Sequence, residues 1–513
     1  MSKNLLILPI ALLLASCQTT ILPPSSSSLD SSKEPSISSI AATDTTRDSS
    51  VTESSLEEAL SSSQNQPASS NIQKEQDLSR FFEYGSNAHI DIEGADKVFE
   101  FISERQGDSD RKYADAYLPV NVIITLDQTE YRFEEVGMRM KGNTSRRRFF
   151  QNGDFVDRAH FKLNFKYTFD SALFDDPLLF PFKHDWSADA AGRKQRKDRS
   201  FLGLDKLDIK YVARNMDGCY LRELYAYLAF READIPAPYA NIVKVKFSGE
   251  SSVYEADYEA IEPIDKGFLK RRFGKDEAKG DLYKCVYNAM GKADLTRDGA
   301  VDRSTGLRVA HGKIGVEENY FGYAPVYQLK TNDDLGEESD FSAMTNFIVT
   351  LRDCVYEGES IETLNGILDV DEFLRMSAVS YLLGNFDDQR YNYNNYYLYF
   401  RPSDHKAIIL PYDWDWCLGL DVTGRLSNIA PLDRWTLDGG SLSNLYLATF
   451  LGDTTSYAQD DMKTKYMDYV STEEEKILNF EKYEAFASIF GQNESEETYS
   501  VANYMAEKSR VYA

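Results

Sequence analysis

The order of hydrophobic periodicities restricts the fold more than any other feature of this sequence. Alternation typical of half-buried strands dominates the first half, in the segments 118–127, 131–140 and 160–169. After residue 265 the apolar residues recur at helical spacing, as in 340–352 and 371–384. A strand-rich half followed by a helical half predicts an α+β fold.

Smaller elements refine this prediction. The first half contains one predicted helix, 219–232, followed by strands at 240–247 and 252–261. A short hairpin, 396–400 paired with 406–410, interrupts the helical half. The basic run at 193–199 is predicted to be a solvated loop, with a docking site for an acidic segment as the less favoured interpretation.

The N-terminus predicts export. Lys3 precedes an apolar run that ends at Leu14 and is shorter than the roughly 20 residues needed to span a bilayer. The sequence Leu-Ala-Ser-Cys at 14–17 resembles a bacterial lipobox, so residues 1–17 are predicted to be a lipoprotein signal peptide with Cys17 as the lipidated residue. An ordinary signal peptide with an incidental cysteine is the alternative. The predicted location is the cell surface or periplasm, with membrane contact through the lipid only.

The segment 18–76 is rich in Ser, Thr and Pro and has almost no aromatic residues, which predicts a disordered tether. The folded remainder is divided into a part at 77–264, with strands and one helix, and a mainly helical part at 265–513. The net charge of −26 argues against nucleic acid and favours a basic protein as partner. The four cysteines after Cys17 show no zinc spacing and are compatible with two disulfides or with buried thiols.

Acidic and amide residues concentrate around the predicted hairpin. Asp387 precedes it, Asn392 and Asn395 follow closely, and Asp413 and Asp415 come directly after its second strand. Phosphoryl transfer uses a carboxylate to position the attacking hydroxyl, and further carboxylate and amide oxygens to hold Mg²⁺. On composition alone, however, such residues are more often found in loops that satisfy their own backbone.

Several segments, in order, resemble the CotH (spore coat protein H-like) family of atypical protein kinases. They cover about residues 118–419 and read GMRMKGNTSR (137–146), FKL (161–163), EPIDKGFL (262–269), RRFG (271–274), GDLYK (280–284), ADLT (293–296), YQLKTN (327–332), GNFD (384–387), NNYYLY (394–399) and ILPYDWD (409–415). The resemblance implies a two-lobed atypical protein-kinase-like fold with a strand-rich N-lobe, a mainly helical C-lobe and a catalytic-loop hairpin at 384–419.

The resemblance also implies an activity: transfer of the γ-phosphate of ATP, with Mg²⁺ or Mn²⁺, to Ser or Thr of secreted or surface proteins, with basic, Ser-rich proteins as candidate substrates. A non-catalytic surface adhesin or assembly scaffold on the same fold is the alternative. The chain lacks a GxGxxG motif, so the turn at 137–142 would have to cover the phosphates.

The roles implied by the resemblance attach to individual residues. Asp387 would orient the substrate hydroxyl. Asn395 would bind metal, although Asn392 stands at the shorter spacing seen in ordinary protein kinases. Asp413 and Asp415 would both be metal ligands, without a preference for either as the primary one. Lys162 would hold the phosphates with Glu223 as its partner, and Arg139 or Lys141 would add positive charge there. Glu262 would lie near the adenine.

Overall fold

The structure is a computed structural model of the chain. It describes residues 67–107, 111–142, 145–211, 221–287, 291–295, 313–316, 325–356, 361–385, 387–390, 392–419, 460–491 and 496–512. The predicted signal peptide with Cys17, and the predicted tether as far as residue 66, lie outside the described residues.

Seven strands from the first half of the chain close into a barrel. The strands of this half are β1 (Ala88–Glu93), β2 (Leu118–Leu126), β3 (Thr129–Met140), β4 (Phe150–Gln151), β5 (Asp154–Phe155), β6 (Phe161–Asn164), β7 (Lys206–Tyr211), β8 (Ala240–Ser248) and β9 (Val253–Ile261). The barrel order is β1-β2-β3-β6-β7-β9-β8, and the parallel pair of β1 and β8 closes it, while β4 and β5 form a separate ribbon. Successive side chains of a strand point to opposite faces, so Val122, Leu163 and Ile209 fill a buried apolar interior.

A second sheet lies in the other half of the chain. It is built from β10 (Leu282–Cys285), β11 (Ile314–Val316), β12 (Tyr327–Leu329), β13 (Tyr396–Phe400) and β14 (Ala407–Pro411), in the order β11-β12-β10-β13-β14. Strands β13 and β14 are the predicted hairpin, and their antiparallel pairing confirms it. All ten residues of this hairpin are buried, so its end is a rigid platform for the residues that follow.

The helices of the described ranges lie mainly after the barrel strands. They are α1 (Pro67–Phe81), α2 (Asp96–Glu104), α3 (Arg111–Ala114), α4 (Ala190–Lys197), α5 (Arg222–Glu232), α6 (Lys266–Phe273), α7 (Ser342–Tyr356), α8 (Ile361–Ile367), α9 (Val370–Leu383), α10 (Asp460–Ile477), α11 (Phe480–Ile489) and α12 (Glu496–Tyr512). Helix α5 shares one buried apolar cluster with α9 and with the C-terminal helices. In the part of the chain that the structure describes, no helix is long and apolar enough to cross a membrane.

The observed elements confirm the mixed α and β composition and correct several boundaries. Strand β6 ends at Asn164 rather than at 169, because the Asn164 side chain accepts the backbone N–H of Lys166 and turns the chain. The basic run at 193–199 falls largely in α4 instead of a loop, and Asp189 caps its first turn by accepting from Gly192.

Three further corrections concern the predicted segments. Helix α1 begins at Pro67, so residues 67–76 of the predicted tether are helical, and burial of Leu78 and Phe81 explains why this helix is retained. The segment 77–264 contains more helices than the single one predicted, and the segment 265–513 contains the second sheet. Among the described cysteines, Cys285, Cys354 and Cys417 are buried and none of them is in a disulfide, while Cys219 lies outside the described residues.

Candidate active site

The centre of the site is a buried lysine on the barrel strand β7. Alternation along this strand places Asp208 and Lys210 on one face, and both side chains are buried. The strand pairs with β6 on one side and with β9 on the other, with Lys162 opposite Asp208 and Glu259 opposite Lys210. Charged residues therefore form a row across three adjacent strands.

Helix α5 and the end of the β13–β14 hairpin bring carboxylates to this lysine. Lys210 Nζ lies 2.6 Å from Glu223 Oε2, in the first turn of α5. It lies 2.6 Å from Asp413 Oδ1 and 2.7 Å from Asp415 Oδ2, both just after β14. Three carboxylates thus converge on one ammonium group from two elements that are distant in sequence.

Packing of the intervening tryptophan fixes the two aspartates. Trp414 is fully buried, and its ring meets Phe230 of α5 edge-on at a centroid distance of 4.7 Å. Asp413 has a positive φ of 58°, a conformation that few residues other than glycine adopt. Its backbone N–H donates to the Tyr227 hydroxyl over 3.1 Å, so α5 also holds the turn.

Three acidic neighbours of Lys210, namely Asp413, Asp415 and Glu259, differ in their affinity for protons. Burial alone would lower the pKa of Lys210, but Asp413, Asp415 and Glu223 outweigh it and raise that pKa well above its usual value. Burial works against ionisation of Asp413 too, yet Lys210 and Lys141 hold the pKa of Asp413 below its usual value.

Burial, followed by repulsion from Asp413 and Glu223, raises the pKa of Asp415 to about 7 despite the opposing charge of Lys210. Burial and then Glu223 raise the pKa of Glu259 well above its ordinary range. The cluster therefore contains carboxylates in both protonation states near neutral pH, because the nearby lysines do not compensate for all of its acids.

A second group of residues lies between α9 and the hairpin. Asp387 accepts hydrogen bonds from three amide groups: Asn392 Nδ2 at 2.5 Å, Asn395 Nδ2 at 2.8 Å and, more weakly, Asn394 Nδ2 at 3.3 Å. The Asp387 backbone N–H donates to Asn385 Oδ1 over 2.8 Å, which fixes the loop. Burial raises the pKa of Asp387, while the bond from Asn392 opposes this shift and the charge of Asp413 adds to it.

Family comparison identifies the chain. The sequence profile of the CotH kinase protein family matches residues 179–489, more than half of the 513-residue chain. The chain belongs to the CotH kinase family. The matched stretch contains Lys210, Glu223 and Asp387, and it begins after Lys162. Family membership supports a kinase-like function, and kinases in general use ATP and a divalent metal ion.

Two solved structures are similar to this CotH family chain at low identity. One is the Shewanella oneidensis MR-1 toxin–antitoxin system HipA, HipB in complex with its operator DNA. The match has 11% identity and a TM-score of 0.28, and it covers 60% of this chain and 57% of that chain. The other is the Helicobacter pylori proinflammatory kinase CtkA, with 12% identity over 60% of this chain and 87% of that one, at a TM-score of 0.25. The chain thus spans just over half the length of the first of these structures. No match was found among curated proteins.

The carboxylates of this CotH family member are suited to a divalent cation. One oxygen each from Glu223, Asp413 and Asp415 lie within 4.8 Å of one another. Carboxylate and amide oxygens are the ligands that Mg²⁺ and Mn²⁺ prefer. In addition, Glu259 Oε1 is buried and has no hydrogen-bond partner among the described residues. The donor set therefore fits the metal ion that the family implies.

Lys162 is not the partner of Glu223 in the structure. Its Nζ lies 3.2 Å from Asp208 Oδ1, an ion pair without hydrogen-bond geometry, while Lys210 takes the position beside Glu223. The reason is register: Lys162 lies opposite Asp208, one strand away from Lys210. Sequence analysis missed Lys210, although the alternation of charged and apolar residues in KLDIKY before a helix was a usable signal.

Lys141 and Arg139, at the end of β3, have local partners. Lys141 Nζ lies 2.9 Å from Asp208 Oδ2, and Arg139 Nη1 lies 3.1 Å from Asp115 Oδ1. Burial disfavours the charge on Asp208, but Lys141 and Lys162 outweigh it and lower the pKa of Asp208 to about 2. Asp208 thus ties Lys141 and Lys162 to the strand that carries Lys210, and Arg139 belongs to a separate ion pair.

Glu262 lies at the end of the barrel sheet and is occupied by structural contacts. Its buried carboxylate pairs with Arg271 Nε at 2.7 Å and with Arg272 Nη2 at 2.6 Å. It also accepts the backbone N–H of Tyr239 over 3.1 Å. These contacts explain the burial of Glu262 without a ligand, so the predicted adenine contact stays a prediction.

Proposed function

We propose that the chain is an exported, lipid-anchored protein kinase that transfers the γ-phosphate of ATP to Ser or Thr of secreted or surface proteins. Family membership supports the kinase-like part of this proposal. The observation that carries phosphate transfer is the convergence of Glu223, Asp413 and Asp415 on the ammonium of Lys210. The proposed export and lipid anchor rest on the predicted signal peptide with Cys17. Protein kinases need a strand lysine paired with a helix glutamate beside a metal-binding aspartate.

In this proposal the barrel and the helical half act as two lobes of an atypical kinase, with the cluster between them. Lys210 holds the nucleotide phosphates and Glu223 orients its ammonium. Lys162 and Lys141, tied together by Asp208, add positive charge on the same face. Asp413 and Asp415 hold a Mg²⁺ or Mn²⁺ ion, which when bound would neutralise charge on the phosphates.

Asp387 orients the substrate hydroxyl and accepts its proton. The amide donors Asn392 and Asn395 hold its carboxylate in one orientation. An asparagine that donates through Nδ2 keeps Oδ1 available as an acceptor, so Asn395 can contact a metal ion and still orient Asp387. Because both asparagines reach Asp387, either satisfies this requirement, and Asn395 is the one expected from the family resemblance.

The test uses the full chain with radiolabelled ATP, Mg²⁺ or Mn²⁺, and a basic, Ser-rich protein. The wild-type protein should transfer label to Ser or Thr, and Asp387→Ala should not. The matched control is Asp369→Ala, because Asp369 caps helix α9 through the Glu372 backbone N–H and lies outside the proposed site. Absence of label, together with no nucleotide-dependent rise in melting temperature, would refute the kinase proposal and favour a non-catalytic scaffold.

A further inference from the structure

Tyr227 links the two elements that form the candidate site. It is fully buried in α5, one turn after Glu223. Its hydroxyl donates to Glu223 Oε1 over 2.7 Å and accepts the backbone N–H of Asp413 over 3.1 Å. One side-chain oxygen therefore connects the helix glutamate to the turn that follows the hairpin.

The hydroxyl, rather than the ring, requires an explanation. A phenylalanine would fill the same volume, whereas a buried hydroxyl destabilises the protein unless it is hydrogen-bonded. Here both its donor and its acceptor capacity are used, and both bonds end on residues of the site. The two hydrogen bonds of the hydroxyl, to Glu223 and from the Asp413 backbone, thus explain why this position is Tyr.

The two bonds restrict the site in complementary ways. Glu223 uses Oε2 for Lys210 and Oε1 for Tyr227, so its carboxylate cannot rotate without breaking one of them. Asp413 has a left-handed backbone, which Asp adopts more readily than most residues, and the bond from its N–H to Tyr227 holds the turn in this conformation. Since the Asp413 carboxylate is carried by that backbone, its direction depends on this bond.

A neighbouring residue reinforces the same connection. Arg222 is buried and donates through Nη1 to the backbone carbonyls of Cys417 at 3.0 Å and Leu418 at 2.7 Å. The segment from Asp413 to Leu418 is therefore attached to the first two turns of α5 at both of its ends.

We propose that Tyr227 is a positioning residue that sets the direction of the Asp413 carboxylate for metal binding while it orients Glu223 toward Lys210. This inference rests on the proposed function only in naming the metal. Groups that orient metal ligands typically change metal affinity or activity by about 10–100-fold when they are removed.

The test compares Tyr227→Phe with Tyr225→Phe in the full chain. Tyr225 lies in the same helix, is equally buried, and donates one hydrogen bond from its hydroxyl to the Ile477 carbonyl at 2.9 Å, outside the site. Both variants keep the ring and lose a buried hydroxyl. Mn²⁺ affinity is measured by electron paramagnetic resonance, amide exchange is measured in metal-free protein, and kcat and KM are measured for ATP.

We expect Tyr227→Phe to weaken Mn²⁺ binding at least about tenfold and to speed exchange of the Asp413 amide about fivefold, with Tyr225→Phe unchanged in both. Melting temperatures should fall in both variants, and further in Tyr227→Phe, because it deprives two groups of a hydrogen-bond partner and Tyr225→Phe only one. Equal Mn²⁺ affinity in Tyr227→Phe and wild type would overturn the inference and leave the kinase proposal intact. If the wild type binds Mn²⁺ but shows neither phosphate transfer nor a nucleotide-dependent rise in melting temperature, the kinase proposal is refuted. A loss of Mn²⁺ affinity in Tyr227→Phe and not in Tyr225→Phe would then still support the inference. A wild type that binds no Mn²⁺ would overturn both.

Discussion

Replacing Lys210 by methionine separates the two lysines that could hold the nucleotide phosphates. The methionine keeps most of the side-chain length and removes the charge that lies within 2.6–2.7 Å of three carboxylates. The comparison is Lys162→Met, on the adjacent strand, where Asp208 retains Lys141 at 2.9 Å. The structure predicts that Lys210→Met lowers stability and phosphotransfer much more than Lys162→Met does.

The expected magnitude follows from the spacing of the acids. One oxygen each from Glu223, Asp413 and Asp415 lie within 4.8 Å of one another, and two unit charges at that limit repel by about 3.5 kcal/mol at an effective dielectric constant of about 20. Proton uptake limits the accumulated repulsion. Loss of one partner of a buried ion pair typically destabilises by about 3–5 kcal/mol, and we expect Lys210→Met to fall in that range at pH 8 without metal.

Lys162→Met should destabilise by no more than about 1 kcal/mol, because its ion pair is longer and Asp208 keeps a second partner. Urea denaturation at pH 8, with and without Mg²⁺, measures both values. Mg²⁺ should restore part of the stability lost in Lys210→Met, since it supplies positive charge to the same acids. In the phosphotransfer assay, Lys210→Met should reduce kcat at least about a hundredfold.

The reasoning would be refuted if Lys162→Met proved the more damaging substitution for both stability and phosphotransfer. It would also be refuted if Lys210→Met were as stable as wild type at pH 8, because removal of the ammonium that Glu223, Asp413 and Asp415 contact would then have no measurable effect on folding.

Three further predictions concern single residues. Asp415 has a pKa of about 7 in the folded protein, above its unfolded value, so its contribution to stability is complete below about pH 4 and is lost as the pH rises through 7. Asp415→Asn should therefore reduce the loss of unfolding free energy between pH 5 and pH 8, as measured by urea titration of metal-free protein. Glu262→Gln should destabilise the protein by about 3 kcal/mol, because it removes the ion pairs with two arginines. The KM for ATP should stay within twofold of the wild-type value, whereas a several-fold rise in KM would support an adenine contact. Asn395→Ala should destabilise by about 1 kcal/mol more than Asn392→Ala, because Asn395 has a φ of 56°, and equal melting temperatures would contradict this.

The hairpin at the site was predictable from sequence because its signal is local. Residues 396–400 and 407–411 are apolar, and turn residues separate them, so strand pairing follows from short-range chemistry. The carboxylates after β14 were predictable for the same reason, since they directly follow a strand that a periodicity search detects.

The identity of the central lysine was not predictable in this way. Lys162 and Lys210 both alternate with apolar residues, and only the barrel register decides which of them faces Glu223. That register depends on the pairing of β6, β7 and β9, which are separated by up to about a hundred residues. Tyr227 was missed because a tyrosine in an apolar helix face is indistinguishable in sequence from an ordinary core residue.

The composition of the cluster around Lys210 is better explained by function than by stability. Buried ion pairs seldom stabilise a fold more than apolar residues of similar size, because desolvation offsets their attraction. Here the acids of the described residues exceed the ammonium groups, since four lysines face five carboxylates: Lys141, Lys162, Lys210 and Lys284 against Asp208, Glu223, Glu259, Asp413 and Asp415. The raised pKa values of Asp415 and Glu259 show that protons compensate for part of this excess. A divalent cation would replace those protons, so the excess negative charge of the cluster, unfavourable by itself, is compensated when the metal ion binds.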